Sequence, residues 1–408
     1  MILDRVLKLY DTEPDLLKRR RPGSGNPTAS AVGGCLAAME QLRFPALSHP
    51  EMRPIRAAWV FEDGDLHATD LKAKLLRAFP GMTGLSEEAF YFRVPLTSEQ
   101  EGPVAEKILN RTLWGTLRNG FVPPRVERGA DGGLGRVRLI DPAEKYRLGH
   151  VLDSAAGILW SPLFVDHVVN HPEHGLVVME FKSMSRFAFR KALLGEMDYR
   201  NRMQLAMIGD ATGLDMVWAL KAKDTSHLLE IAFLRGADKT RVTLTRTNGQ
   251  QEHFLVPKPG LVVTQAGEPV ELQENDTWDV GEVWTPWDPT LLEQARQRIL
   301  RVLLFDPATQ PWDREFGPSF VCQTCDGTGT QVNQKNKPEP LKKPKPCPDC
   351  GQTGKIDQAE LPWNCSYCPV VKSCWAQAQV RLELGAKPSY VIRREDYEAS
   401  GLAFAPHA

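Results

Sequence analysis

Residues 175–185 read GLVVMEFKSMS. Four apolar residues, Leu176 to Met179, lead into Glu180-Phe181-Lys182. An apolar, β-branched run bounded by polar residues predicts a strand. Residues two apart on a strand point to one face, so Glu180 and Lys182 share a side. An acid two places before a lysine is more often a solvated charge pair. Here an apolar strand delivers a single charged face, which is the pattern of a site. Upstream, KYRLGHVLDSAAGILW (145–160) predicts a preceding strand that carries Asp153. Pairing of the two strands would set Asp153 beside Glu180. Two like carboxylates repel. A hard divalent cation relieves that repulsion, and carboxylate oxygens suit Mg²⁺ or Mn²⁺. Such an ion polarises a phosphodiester and activates a bound water. Lys182 would orient that water or stabilise charge building on phosphorus.

Outward from this point the pattern is α/β. FAFRKALLGEMDYRNRMQLAMIG (187–209) predicts one long helix. DMVWALKAKD and HLLEIAFLR predict two further strands, with a turn at Asp224–Ser226. Residues 241–284 read as β-rich, and DPTLLEQARQRILRVLLF (288–305) as an amphipathic helix. Near the start, TASAVGGCLAAMEQLRF predicts a loop entering a helix that carries Cys35. From Ala57 onward, Leu71, Leu75 and Phe79 fall at helical spacing. Residues 81–110 are mixed in pattern.

Seven of the eight cysteines lie between 322 and 374. No stretch has the form of a signal peptide, so a reducing cytoplasm is expected and clustered cysteines read as metal ligands. Cys322-x2-Cys325 and Cys347-x2-Cys350 form two knuckles, a four-thiolate set suited to structural Zn²⁺. Cys365-x2-Cys368-x5-Cys374 supplies three thiolates, leaving Cys35 as the remaining cysteine. Four thiolates suit either a 4Fe–4S cluster or zinc.

Two resemblances follow. CQTCDGTG matches the CxxCxGxG unit of the DnaJ-type zinc domain, and CPDCGQTG repeats it with the middle glycine one place early. The chain from about 28 to 376 resembles the PD-(D/E)XK nucleases of the RecB-type branch. It is most similar to the iron–sulfur members, the CRISPR-associated adaptation nuclease and the AddB nuclease domain among them. Gly64-x2-His67, Asp153 in GHVLD, the EFK triplet and Gln204 follow the family's motif order. The resemblance implies that His67, Asp153, Glu180 and the carbonyl of Phe181 hold the metal. Lys182 would be the catalytic lysine, and Gln204 would position it or the substrate. It implies a 4Fe–4S cluster on Cys35, Cys365, Cys368 and Cys374, acting as a structural clasp. The pattern departs at Ile208, where the family often has tyrosine, with Tyr199 as a substitute. Leu36-Ala37 stands where Pro-Arg often follows the first cysteine.

The expected organisation is an N-terminal cysteine segment (1–56), a core of central mixed sheet flanked by helices (57–310), a zinc hairpin (311–358) and a cluster-binding segment (359–408) with a helix to about Leu384. The resemblance implies a nuclease acting on DNA, single-stranded or with free ends. A non-catalytic nucleic-acid binder that keeps the fold is the alternative. The net charge of −1 does not favour nucleic acid globally. Local basic runs, Lys18–Arg21 and the lysines at 335–345, would have to supply contact, the second at the hairpin tip. The hairpin also offers a docking element for a protein partner. Ser183 and Ser185 read equally as phosphate contacts or as caps of a strand end. No apolar run is long enough for a membrane span.

Overall fold

The computed structural model describes residues 34–44, 85–110, 115–124, 149–222, 227–272, 278–323, 346–362, 368–383 and 389–403, with short pieces between them. His67, the helical spacing around Leu71, Lys18–Arg21 and the lysines at 335–345 lie outside the described residues. The chain divides into two compact units: Asn26–Gly34 with Trp59–Phe305, and Met1–Gly25 with Cys35–Ala58 and Asp306–Ala408.

The larger unit is α/β, with one large mixed sheet flanked by helices. Its elements are β1 (Leu85–Pro95), α1 (Ser98–Leu109), β2 (Gly115–Leu117), a small ribbon of β3 (Val126–Arg128) and β4 (Leu134–Val137), then β5 (His150–Asp153), β6 (Ile158–His171) and β7 (Gly175–Met184). Helices α2 (Arg186–Leu193) and α3 (Tyr199–Thr212) follow, then β8 (Asp215–Ala222), β9 (Leu228–Leu234), β10 (Thr240–Arg246), β11 (Gln251–Lys258), β12 (Leu261–Thr264), β13 (Pro269–Val270), β14 (Trp278–Pro286) and α4 (Thr290–Leu304). The sheet runs β13-β12-β11-β10-β14-β9-β8-β7-β6-β5-β2, with β1 also on β6. β7 pairs antiparallel with β6 and parallel with β8.

Three local expectations change. Residues 145–160 do not form one strand. Asp153 and Gly157 (φ +62°) flank a tight turn that folds β5 back onto β6. The long helix over 187–209 is two helices. Ser185 caps the first by accepting from the Ala188 N–H, so its hydroxyl serves as a cap. Gly195, at φ +79°, breaks the run, and Asp198 caps the second by accepting from the Arg200 N–H. Only glycine takes that left-handed turn without steric cost. Of the stretch mixed in pattern, residues 85–110 form β1 and α1.

Helix α3 packs on β1, β7 and β8 and against α4. Met203, Met207 and Ile208 on α3 are fully buried with Trp218, Leu220 and Val178 of the sheet. On α4, Leu291, Leu292, Ala295, Ile299, Val302 and Leu303 are buried at helical spacing. A smaller apolar cluster, including Met179, Phe181, Val217, Ala219 and Ala232, forms separately. Among the described residues no helix is long and apolar enough to cross a membrane.

In the smaller unit a helix, Leu36–Arg43, begins directly after Cys35. Strands Gln358–Glu360, Arg381–Glu383 and Ser389–Arg393 form a three-stranded sheet. The expected helix to Leu384 is only Val371–Cys374, followed by a 3₁₀ turn at Ala376–Ala378. Gln379 then turns left-handed (φ +50°) and the chain enters a strand.

Candidate active site and metal centres

The paired register of β6 and β7 runs from His171↔Gly175 to His167↔Met179 and stops there. Beyond it β7 continues on β8 to Met184, while β6 continues on β1. Two carboxylates stand where the ladder ends. The Asp166 N–H donates to Glu180 Oε1 at 3.2 Å, and the Phe181 N–H donates to Asp166 Oδ2 at 3.0 Å. Each acid thus satisfies an amide that the parting strands leave unpaired. Lys182 Nζ lies 3.7 Å from Glu180 Oε2, and Gln204 Nε2, delivered by α3, lies 3.4 Å from the same oxygen. Lys182 is one-third exposed, whereas Glu180 and Gln204 are buried. The Phe181 ring turns the other way, edge-on to His167 with centroids 5.8 Å apart.

Burial pushes the Glu180 carboxyl up to about 7, and the Asp166 charge adds to the rise while Lys182 opposes it. The acid therefore sits near its midpoint at neutral pH. It can hold a proton or, beside Asp166, contribute oxygens to a cation.

Glu180, Lys182 and Gln204 come together as the motif order implied. Asp153 does not join them. Its Oδ1 accepts from the Ala156 N–H at 3.3 Å and its Oδ2 from the Phe121 N–H at 3.1 Å, which caps the β5–β6 turn. Asp153 pairs with Ile158, eight residues before Asp166 on β6. That is about 26 Å of extended strand. The carboxylate next to Glu180 is Asp166, which the sequence reading missed. The signal was the turn at His171-Pro172-Glu173-His174-Gly175. Counting back from it pairs 166 with 180. Tyr199 is also placed elsewhere: its hydroxyl donates to Gln294 Oε1 on α4 at 2.9 Å.

Cys322, Cys325, Cys347 and Cys350 form a buried group that can hold a metal ion. The Sγ atoms of Cys322 and Cys347 are 3.7 Å apart, and those of Cys325 and Cys350 are 3.6 Å apart. Two ~2.3 Å bonds at a tetrahedral angle separate sulfurs by about 3.8 Å. The knuckles are near-copies: Thr328 Oγ1 donates to the Cys325 carbonyl and Thr353 Oγ1 to the Cys350 carbonyl. The displaced glycine leaves Gln352 itself left-handed, at φ +78°.

Cys35, Cys365, Cys368 and Cys374 gather in one cluster of the smaller unit. Burial pushes the Cys35 and Cys368 thiols up to about 12, and raises Cys365 and Cys374 as well. Among the described residues these sulfurs do not all approach within 4.8 Å as the first set does. The helix after Cys35 is stitched in place by buried groups. The Leu36 N–H donates to Glu315 Oε2 at 2.7 Å, Glu40 Oε2 accepts from the Asp313 N–H, and Ser373 Oγ donates to Gln41 Oε1. The Arg314 guanidinium donates twice to the Cys374 carbonyl and lies over the Trp375 ring.

Compared with protein-family models, curated proteins and solved structures, the chain matches none.

Proposed function

We propose that this protein is a Mg²⁺- or Mn²⁺-dependent nuclease with a PD-(D/E)XK-type core, hydrolysing DNA at single strands or free ends. One observation carries the reading: Asp166, Glu180, Lys182 and Gln204 converge where β6 and β7 part. The residues fit a hard cation. Two carboxylates adjoin, one is raised by burial beside the other, and positive charge between them would relieve both. Asp166 takes the role that the sequence assigned to Asp153. A divalent ion bound there polarises a phosphodiester and acidifies water. Asp166 and Glu180 supply the oxygens that hold it. Gln204 fixes the Glu180 rotamer from α3. Lys182, a third of it in solvent, stabilises negative charge on the phosphate oxygens as they become more anionic.

The two cysteine sets fit different groups. Sulfurs 3.6–3.7 Å apart suit one tetrahedral ion, so the first set holds structural zinc. Sulfurs of a multi-iron cluster bind separate irons and stand further apart, so the wider second set suits 4Fe–4S. Both are read as structural, since no redox step enters phosphodiester hydrolysis.

The test is cleavage of end-labelled single- and double-stranded DNA by anaerobically purified protein, with and without Mg²⁺ or Mn²⁺. Asp166→Asn and Lys182→Ala are run beside the parent. Metal-dependent cutting lost in both variants supports the proposal. Absence of cutting by the cluster-loaded parent overturns it and leaves a non-catalytic nucleic-acid binder.

A further inference from the structure

A hollow of about 260 Å³ lies between the helices and the sheet of the larger unit. Its origin is the break between α2 and α3. Gly195 turns left-handed after α2, and the two helices part over β9 and β14. Ala192 on α2 and Ala206 on α3 line the gap and are too short to fill it. The turn after β11, Pro257-Lys258-Pro259, closes the far side. The Gly260 N–H fastens that turn by donating to the Leu194 carbonyl at 3.0 Å. The hollow is separate from the carboxylate fork. Glu180, Trp218 and Ile231 are level on β7, β8 and β9, and the fully buried Trp218 stands between Glu180 and Ile231.

The lining divides by chemistry. The floor is apolar and buried: Leu205, Ala206, Ile231, Val283 and Leu291. A dry apolar cavity of about 150 Å³ accommodates benzene, so this one has room for more than a single ring. The rim is polar and cationic. Lys258 is exposed there and has no ion-pair partner among the described residues. Arg202 Nη2 donates to Asp288 Oδ2 at 2.6 Å, and a guanidinium has further N–H groups to offer. Asp288 is engaged on both oxygens, by Arg202 and by Thr290. Thr240 and Thr285 bond to each other through their hydroxyls at 2.9 Å. That pairing uses one O–H and leaves the other to donate. Asp288 neutralises one of the two rim cations, so the rim matches a single negative charge. Glu196, on the same α2–α3 loop, pairs with Lys191 instead.

We infer that this hollow binds a small monocarboxylate with an aryl or aliphatic body. The body rests on the apolar floor, where it is removed from water. The carboxylate meets Lys258 and Arg202 at the rim, and the spare threonine hydroxyl supplies a further donor. The inference does not depend on the nuclease reading.

The experiment is calorimetric titration of the full-length protein with phenylbutyrate, and with phenylbutanamide, which has the same body and no charge. Lys258→Ala removes an exposed cation, and Ala206→Leu fills the floor. One saturable site for the acid is expected. Affinity should be about tenfold weaker for the amide, and about tenfold weaker for the acid in Lys258→Ala. Ala206→Leu should abolish binding. Circular dichroism checks the fold of each variant. Should Ala206→Leu not fold, the amide and Lys258→Ala decide. No saturable binding of the acid to the folded parent would overturn the site, as would equal affinity for acid and amide or unchanged affinity in Lys258→Ala. Unchanged binding in a folded Ala206→Leu would place the acid elsewhere and overturn it too.

Discussion

Asp166 and Glu180 cap each other's strands: the amide of Asp166 bonds to the Glu180 carboxylate, and the amide next to Glu180 bonds to the Asp166 carboxylate. The two charges are held together by backbone donors on either side of a ladder that has just ended. This arrangement separates the two candidate aspartates by experiment. Asp166→Asn is expected to lower metal-dependent cleavage at least about a hundredfold. Asp153→Ala is expected to leave cleavage intact yet lower stability by roughly 1–2 kcal/mol, since two part-buried turn amides lose a charged acceptor. Urea unfolding with cleavage rates on both variants gives the answer. Equal loss of cleavage in both would restore Asp153 to the site.

A pH dependence follows from Glu180. Its ordinary value of 4.5 is raised to about 7 in the folded chain. Between those values the folded state binds more protons than the unfolded one. Stability contributed by this group therefore falls as pH rises through the window. Metal-free protein should melt higher near pH 5 than near pH 7, other groups being equal, and Glu180→Gln should flatten that difference. Divalent cation should restore the melting temperature at the upper end. A parent whose pH profile matches that of Glu180→Gln would rule out the strained carboxylate.

Lys182 sits at the edge of the site with a third of its side chain in solvent. Lys182→Met keeps the length and removes the charge. The expected result is a fall in kcat of about 10²–10³ with little change in DNA affinity. A rise in KM alone would make the lysine a binding residue.

The two cysteine sets should separate by spectrum. Cys35→Ser, purified anaerobically, is expected to lose iron and visible absorbance while keeping the zinc of the hairpin. Cys322→Ser should do the reverse. Loss of iron should also lower the melting temperature, because the buried thiols would then lack the group that ties the Leu36–Arg43 helix to Val371–Cys374. Zinc in place of iron in the parent would correct the assignment of the second set.

Gln352 holds a left-handed backbone that favours glycine. Gln352→Gly should stabilise the hairpin by about 1 kcal/mol without changing its metal content. Chelator-resistance times report this directly, and a shortened time would count against it.

Much of the site was legible because strand parity is local. Glu180 and Lys182 two apart on an apolar run, and Gln204 on the helix after it, needed no tertiary knowledge. Asp166 was hidden because LFVDHVV looks like any buried strand, and its partner is set by a turn rather than by spacing. Asp153 misled because GHVLD offers an acid at a strand end, where capping a turn is equally good use of a carboxylate. The break between α2 and α3 was visible only as Gly195 in a helical pattern, a residue that helices also tolerate. The paired cysteine knuckles were plain, since two CxxC pairs in one short segment have few uses other than holding a metal.

The division of the chain has a consequence for how the protein is made. The smaller unit takes Cys35–Ala58 and then nothing until Asp306. During synthesis at about 5–20 residues per second, the ribosome spends roughly 10–50 s on the intervening stretch. For that time Cys35 has been made while Cys365, Cys368 and Cys374, which it packs with, do not yet exist. Cys35 is therefore the clustered thiol kept waiting longest, open to oxidants and to stray metal. Assembly of that unit is therefore post-translational in character, and its success reports that the whole intervening domain has already been delivered.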